Sequence, residues 1–267
     1  MTDRLPTLPL AALEGVWAAV YRHRDRLEAA AAEQVLAAWR LLAADLDLTA
    51  VMTALRQQLG EASPAAERRR HVQQVTAAAV LAQLAALTRR PAWAALIAAL
   101  TAILRQGRAA GRHAGHAVMD DDPDQLADDD GEVPDDGDPA EDTAAAYTVT
   151  AAALRGTAQT IAGTLLSGVE QGDDERAMQG QADASLTAGT AWSLAAVTAS
   201  AAAFTTGLVD AYLRRGVQQL DYVTAGDGRV CPTCSNAEDR SPWPANSAPL
   251  PPLHPRCRCT LQPTRAT

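Results

Sequence analysis

Apolar residues return every three or four positions along most of this chain, which is the period of a helix buried on one side. Leu10, Leu13, Trp17, Val20, Leu27, Val35, Leu36, Trp39 and Leu42 fall on one such face, with a break predicted at the charged run Arg22 to Arg26. Leu48, Val51, Met52, Leu55 and Leu59 mark a second helix that Gly60 is placed to cap. Ser63 before Pro64 is an N-cap followed by proline at the first helical position, and it opens a third helix ending near Arg89 and Arg90. Pro91 opens a fourth, with Leu96, Ile97, Leu100, Ile103 and Leu104 as its core face. Tyr147 to Val169 and Leu186 to Leu213 repeat the helical period, with Thr, Ser and Gly scattered among alanines. The expected class is mainly α: a helical bundle, an acidic disordered linker, and a small C-terminal Cys/His module of short β-strands.

Composition agrees with closely packed helices. Hydrophobic residues make up 48% of 267, but there is one Phe and four Tyr, and much of the apolar content is alanine. There is no lysine, so all 23 positive charges are arginine. The net charge of -9 is local: thirteen acidic residues lie between Asp120 and Asp142, and the rest of the chain carries 19 acids against 23 arginines. Like-charge repulsion combined with Pro and Gly predicts a solvated linker there with no apolar surface to contribute. An EF-hand loop is the sharper alternative, but its ligand spacing and final Glu are missing. The expected division is therefore a helical region over 1–118, the linker over 119–142, a second helical region over 143–220 and the Cys/His module over 221–267. From Ala184 to Val209 no residue is charged, long enough to span a bilayer, yet Ala, Thr, Ser and Gly supply little insertion energy. A buried helix with small-residue packing is expected there, with no membrane partner. No signal-type apolar stretch opens the sequence, so a cytosolic chain, not secreted through a signal peptide, is expected.

The candidate chemistry sits at the end. Cys231-Pro-Thr-Cys234 is followed by His254-Pro-Arg-Cys257-Arg-Cys259, which places all four cysteines in the last 37 residues. Two sulfurs three positions apart can reach one ion from a tight turn, and a second Cys/His pair can close the tetrahedron that Zn²⁺ prefers. Five donors compete for four places. Cys231, Cys234, His254 and Cys257 are favoured, because two residues separated by one in an extended segment point to opposite faces, and Cys259 is the alternate. Four protein ligands leave no position for a catalytic water, so the role is structural. Reduced thiols or disulfides are the competing account of the same residues. The Pro-rich segment between the half-sites, Ser241 to Leu253, cannot build a core of its own and needs a staple.

Other candidates carry less. His113 and His116 are spaced to share a metal with an Asp, but Gly111 and Gly115 weaken the helix, and an exposed, frayed helix end is expected. His23 and His71 lie in Arg-rich segments and read as surface residues. Asp173, Asp174 and Glu175 read as a solvated loop, and Asp227 between two glycines as a hairpin turn. No G-x-S-x-G, H-E-x-x-H, Walker A or G-x-G-x-x-G motif occurs, and enzymatic activity is not expected.

The run from Val217 through Asp227 and Arg229 to Cys231-Pro-Thr-Cys234, then Pro251-Pro-Leu-His254-Pro-Arg-Cys257-Arg-Cys259 to Pro263, resembles the C-terminal signature of the phage head morphogenesis family, the phage Mu F-like minor head proteins. The resemblance covers about the last 50 to 70 residues, and the pairing of C-x-x-C with H-P-x-C-R-C is what makes it specific. It implies a phage or prophage minor head protein associated with the portal protein and other head proteins, in the virion or host cytoplasm, aiding capsid assembly or DNA packaging and delivery. DNA is a candidate contact. One alternative is a zinc-stapled nucleic-acid-binding protein, with Arg256 and Arg258 on phosphates. Another is an enzyme of ADP-ribosyltransferase type, as in some relatives of that family, but the acidic catalytic residue it needs is not found.

Overall fold

The computed structural model describes residues 15–44, 46, 48–49, 51–53, 55, 65–126, 137–225 and 230–264. Among them the chain is mainly α, with seven helices and one small antiparallel sheet near the C-terminus. The helices are α1 (Val16–Ala43), α2 (Ala65–Ala86), α3 (Pro91–Asp120), α4 (Pro139–Gln171), α5 (Glu175–Ala188), α6 (Thr190–Arg214) and α7 (Pro232–Asp239). The strands are β1 (Gln219–Val223), β2 (Trp243–Pro244) and β3 (Thr260–Pro263), in the order β2-β1-β3. Leu10, Leu13, Leu59, Gly60, Ser63, Pro64, the turn at Gly226 to Gly228 and residues 127–136 lie outside the described residues.

Two compact units form, one from Met1–Ala31, Ala102–Asp142 and Val197–Thr267, the other from Ala32–Thr101 and Thr143–Ala196. Neither is a continuous piece of chain; one boundary coincides with the expected division at 142, whereas none falls at 118 or 220. At 1.5 Å per residue, helices of 25 to 33 residues run to about 40–50 Å, longer than a small domain is wide. Boundaries accordingly fall inside α1, α3, α4 and α6.

In the second unit, Val35, Trp39 and Leu42 of α1 are fully buried, as are Val51 and Leu55 at helical spacing. Trp39 stacks on Trp192 at 4.6 Å between ring centroids and donates from Nε1 to the Leu186 carbonyl at 2.8 Å. The helix expected over Leu186 to Leu213 is interrupted at Gly189, whose φ of 57° is left-handed and ends α5. Asp174, exposed at the turn before that helix, is its N-cap and accepts from Ala177 N at 2.8 Å.

In the first unit, α1 runs without a break through Arg22 to Arg26. The helix accommodates Arg24 facing inward because the guanidinium finds partners there: Glu28 at 2.9 Å and the carbonyls of Cys259 and Cys257 at 3.3 and 3.4 Å. His23 is half-buried, its ring 6.3 Å from that of Phe204, not a surface residue. One apolar cluster joins Val16 and Val20 of α1, Ala114 and Ala117 of α3, and Phe204, Leu208 and Tyr212 of α6. It extends without interruption to Leu220, Tyr222, Ala237, Ala245 and Leu261 of the C-terminal segment. The tail thus has no separate core because it shares this one.

The glycines expected to fray the end of α3 do the opposite. Gly107, Gly111 and Gly115 recur every fourth residue, one face of the helix, and all are buried. A Cβ on Gly107 would meet the Ser200 carbonyl oxygen at 3.0 Å, one on Gly115 the Leu208 carbonyl oxygen at 2.9 Å, and one on Gly111 would overlap the carbonyl of Phe204. From the other side, Gly207 of α6 faces the carbonyl of Arg108. Here α3 and α6 lie backbone against backbone, the small-residue packing expected of the uncharged stretch. By length and composition Glu175–Arg214 could cross a membrane, and 56% of its most apolar window is buried inside the protein. His113 and His116 are half-buried on the continuous helix, and His116 Nδ1 lies 3.3 Å from Arg215 Nη2.

The described ends of the acidic run are tied down, unlike the solvated linker expected over 119–142, whose middle lies outside the described residues. Arg215 grips Asp120 with two bonds of 3.0 and 3.1 Å and holds that carboxyl below the usual range. Leu126 is 4% exposed and belongs to the apolar cluster. Asp142 is buried on α4, and Arg108 reaches it with a two-pronged fork at 2.8 and 2.7 Å. The charge count hid these contacts because it treated the run as uniform. Asp142→Asn should therefore lower stability by about 2 kcal/mol, below the usual cost of breaking a buried pair because Arg108 retains some solvent. Denaturant titration checks this, and an unchanged midpoint would return the run to a solvated tether.

Candidate metal centre

Local chain geometry explains why the five donors meet. Cys231 is the N-cap of α7, with Pro232 at the first helical position, and its Sγ accepts from Cys234 N at 3.4 Å. Both sulfurs of C-P-T-C therefore lie at one helix N-terminus, where the dipole favours thiolate. On the other side, Cys257 N donates to the His254 carbonyl at 3.1 Å, with Pro255 and Arg256 between. Arg256 has a φ of 61°, so the four residues form a turn of the type II pattern, proline first and a left-handed residue second. β3 begins only at Thr260. Residues 257–259 pair with no strand, and the Cys257 and Cys259 sulfurs lie within 4.8 Å of one another, so the expectation that they face opposite ways fails.

All five sequence candidates converge. Donor atoms of Cys231, Cys234 and His254 lie within 4.8 Å of one another, as do those of Cys234, Cys257 and Cys259. Cys234 belongs to both groups and is fully buried. Its Sγ stands 3.7 Å from Cys257 Sγ and 3.3 Å from His254 Nε2. A zinc ion with Zn–S bonds of about 2.3 Å places adjacent sulfurs about 3.8 Å apart, so the first distance is the edge of such a tetrahedron. It is far beyond the roughly 2.05 Å of a disulfide, and all four cysteines are free. His254 Nδ1 sits 2.9 Å from the Pro255 carbonyl, which can only accept. The proton therefore resides on Nδ1, and the Nε2 lone pair points toward the sulfurs, as a ligating histidine requires. A set of thiols and one imidazole suits zinc among soft-binding metals, and hard oxygen-seeking ions poorly.

The thiols cannot all ionise unaided. Donation from Cys259 draws the Cys257 thiol down to about 4, and the same contact together with burial pushes Cys259 up. Burial lifts Cys234 to about 11, whereas the backbone N–H of Cys234 lowers Cys231. The Pro255 carbonyl raises His254. A divalent cation at the centre would let such crowded sulfurs ionise together, and acid would release it by protonating them.

Around the donors lie groups that motif spacing does not reveal. Arg24 reaches the carbonyls of Cys257 and Cys259 from α1, more than 230 residues away in sequence. Tyr222, inward-facing on β1, places its hydroxyl 3.4 Å from Cys234 Sγ. Thr224 donates from its backbone N and its hydroxyl to Glu238, both at 3.0 Å, and Trp243 Nε1 donates to the Ala237 carbonyl at 2.8 Å, fixing α7 against the sheet. The alternation of Leu220 and Tyr222 in a short strand was the only sequence signal for any of them. A cavity of about 510 Å³ borders the cluster, lined among others by Arg24, Thr198, Cys231, His254 and Arg256. No protein-family model, curated protein or solved structure matches the chain, and its chemistry therefore stands on the five donors and their geometry.

Proposed function

We propose that this chain is a phage or prophage minor head protein that docks at the portal and aids capsid assembly or DNA packaging and delivery, with one structural Zn²⁺ holding its C-terminal segment. The observation that carries the proposal is the pairing of C-P-T-C with H-P-R-C-R-C, the two halves through which the chain resembles that family. The donor cluster supports the structural part of it, since both halves contribute ligands to one place. With four protein donors engaged, the ion's task is to fix a surface and not to activate water. A second reading, a zinc-stapled nucleic-acid-binding protein, draws on the exposed Arg256 and Arg258 beside the cavity. An ADP-ribosyltransferase split barrel has little to draw on, because among the described residues every element up to Arg214 is helical.

The test is mass spectrometry of purified particles together with a pull-down against the cognate portal. Wild type should be found in heads or assembly intermediates and should bind the portal, whereas Cys231→Ser with Cys257→Ser should lose binding. Point variants are preferable to truncation, because deleting the tail would uncover Phe204, Leu208 and Tyr212. Absence from particles and intermediates, with no portal binding by wild type, would defeat the proposal and favour the nucleic-acid reading.

A further inference from the structure

Tyr222 occupies the central strand of the sheet, paired with Leu261 of β3, and its backbone N donates to Ser241 Oγ at 2.8 Å. The side chain is 1% exposed and cannot swing. A phenylalanine would fill the same space, so packing alone does not call for the hydroxyl. A buried hydroxyl without an acceptor is destabilising, and the acceptors in reach here are sulfurs: Cys234 at 3.4 Å and Cys257 at 4.0 Å. The contrast is Tyr212, whose buried hydroxyl in the same cluster has no hydrogen-bond partner among the described residues.

Charge gives that bond a purpose. Three thiolates and a neutral imidazole around a divalent ion leave a net charge of −1, and four thiolates leave −2. In a buried site this excess must be spread onto neighbouring donors. Cys234 is the sulfur shared by both donor groups and the one that Tyr222 addresses. We propose that Tyr222 is a positioning residue of the metal centre: its hydroxyl donates to the Cys234 thiolate, withdraws charge from that sulfur and thereby tightens the hold of a thiolate-rich ligand set on a divalent metal. The inference rests on the metal reading above and adds to it a residue outside the Cys/His motif.

The experiment uses the full chain loaded with Co²⁺ as a spectroscopic probe, in wild type and Tyr222→Phe. Loss of the hydrogen bond raises the energy of the sulfur lone pair, so the sulfur-to-cobalt charge-transfer band should move to lower energy. Competition against a chelator should show metal affinity reduced about tenfold, within the range for outer ligand partners. Fluorinated tyrosine, a stronger donor, incorporated throughout should move the band the opposite way and covers the case in which Tyr222→Phe folds poorly. A hydroxyl that only supports the fold would lower the unfolding midpoint of metal-free and loaded protein alike and leave the band in place, and that result overturns the proposal. Wild type that binds cobalt with a band indifferent to both replacements overturns this inference alone. Wild type that binds no cobalt overturns the metal reading with it.

Discussion

Cys234→Ser should empty the metal site, taking bound zinc from about one equivalent to near none. The effect on folding should be the largest of any single change, because structural zinc sites carry apparent binding free energies of about 10–16 kcal/mol, which are folding free energies. Cys234 is the donor common to both clusters and is completely buried, so the remaining four side chains do not surround one point closely without it. Serine is both a poorer ligand and a shorter one. Cys231→Ser should cost less, since the half-buried Cys231 belongs to only one of the two clusters and four other donors remain. Metal analysis and thermal unfolding of the two variants side by side decide this. Equal zinc content in both would mean that the site is not centred on Cys234.

Gly111→Ala should destabilise the protein by about 3 kcal/mol, at the upper end for an overpacked core. In an exposed helix the same change would stabilise by about 1 kcal/mol, because alanine gives up less backbone freedom than glycine. The sign reverses because the added methyl would occupy the place of the Phe204 carbonyl. Backbone cannot rotate away as a side chain can, so α3 and α6 must separate along the whole ladder from Gly107 to Gly115. Gly163, with nothing within 4 Å of its Cβ position, is the control, and alanine there should be neutral or stabilising. Denaturant midpoints for both variants test the contrast, and a stabilised Gly111→Ala would disprove the close packing.

The helices were legible because their apolar residues keep one period over long stretches, and Pro91 as a helix start needed no tertiary information. The donors at Cys231, Cys234, His254, Cys257 and Cys259 were legible for a related reason: soft ligands at short spacing are chemically unusual. What escaped was decided by partners distant in sequence. Arg24 looked like part of a charged break, and its inward orientation depends on carbonyls at residues 257 and 259. Asp142 looked like one more acid in a repelling run until Arg108 singled it out. Gly111 and Gly115 looked like helix breakers, because a glycine chosen for absence of bulk cannot be told from one chosen for flexibility without the neighbouring backbone. The relation between Cys257 and Cys259 was misjudged because strand alternation was assumed for residues that precede the strand, which starts at Thr260.

The bonds from Arg24 to the carbonyls of Cys257 and Cys259 set an order on synthesis. A ribosome releases the N-terminal helix well before the residues that receive its guanidinium, and loop closure across more than 230 positions is slow compared with helix formation. During translation Arg24 therefore has neither of these two carbonyls until residues 257 and 259 have left the ribosome, and only then can this part of the molecule close. A chain cut before residue 257 would keep Arg24 beside Glu28 but without either carbonyl, an inward-facing cation with fewer partners than the fold gives it.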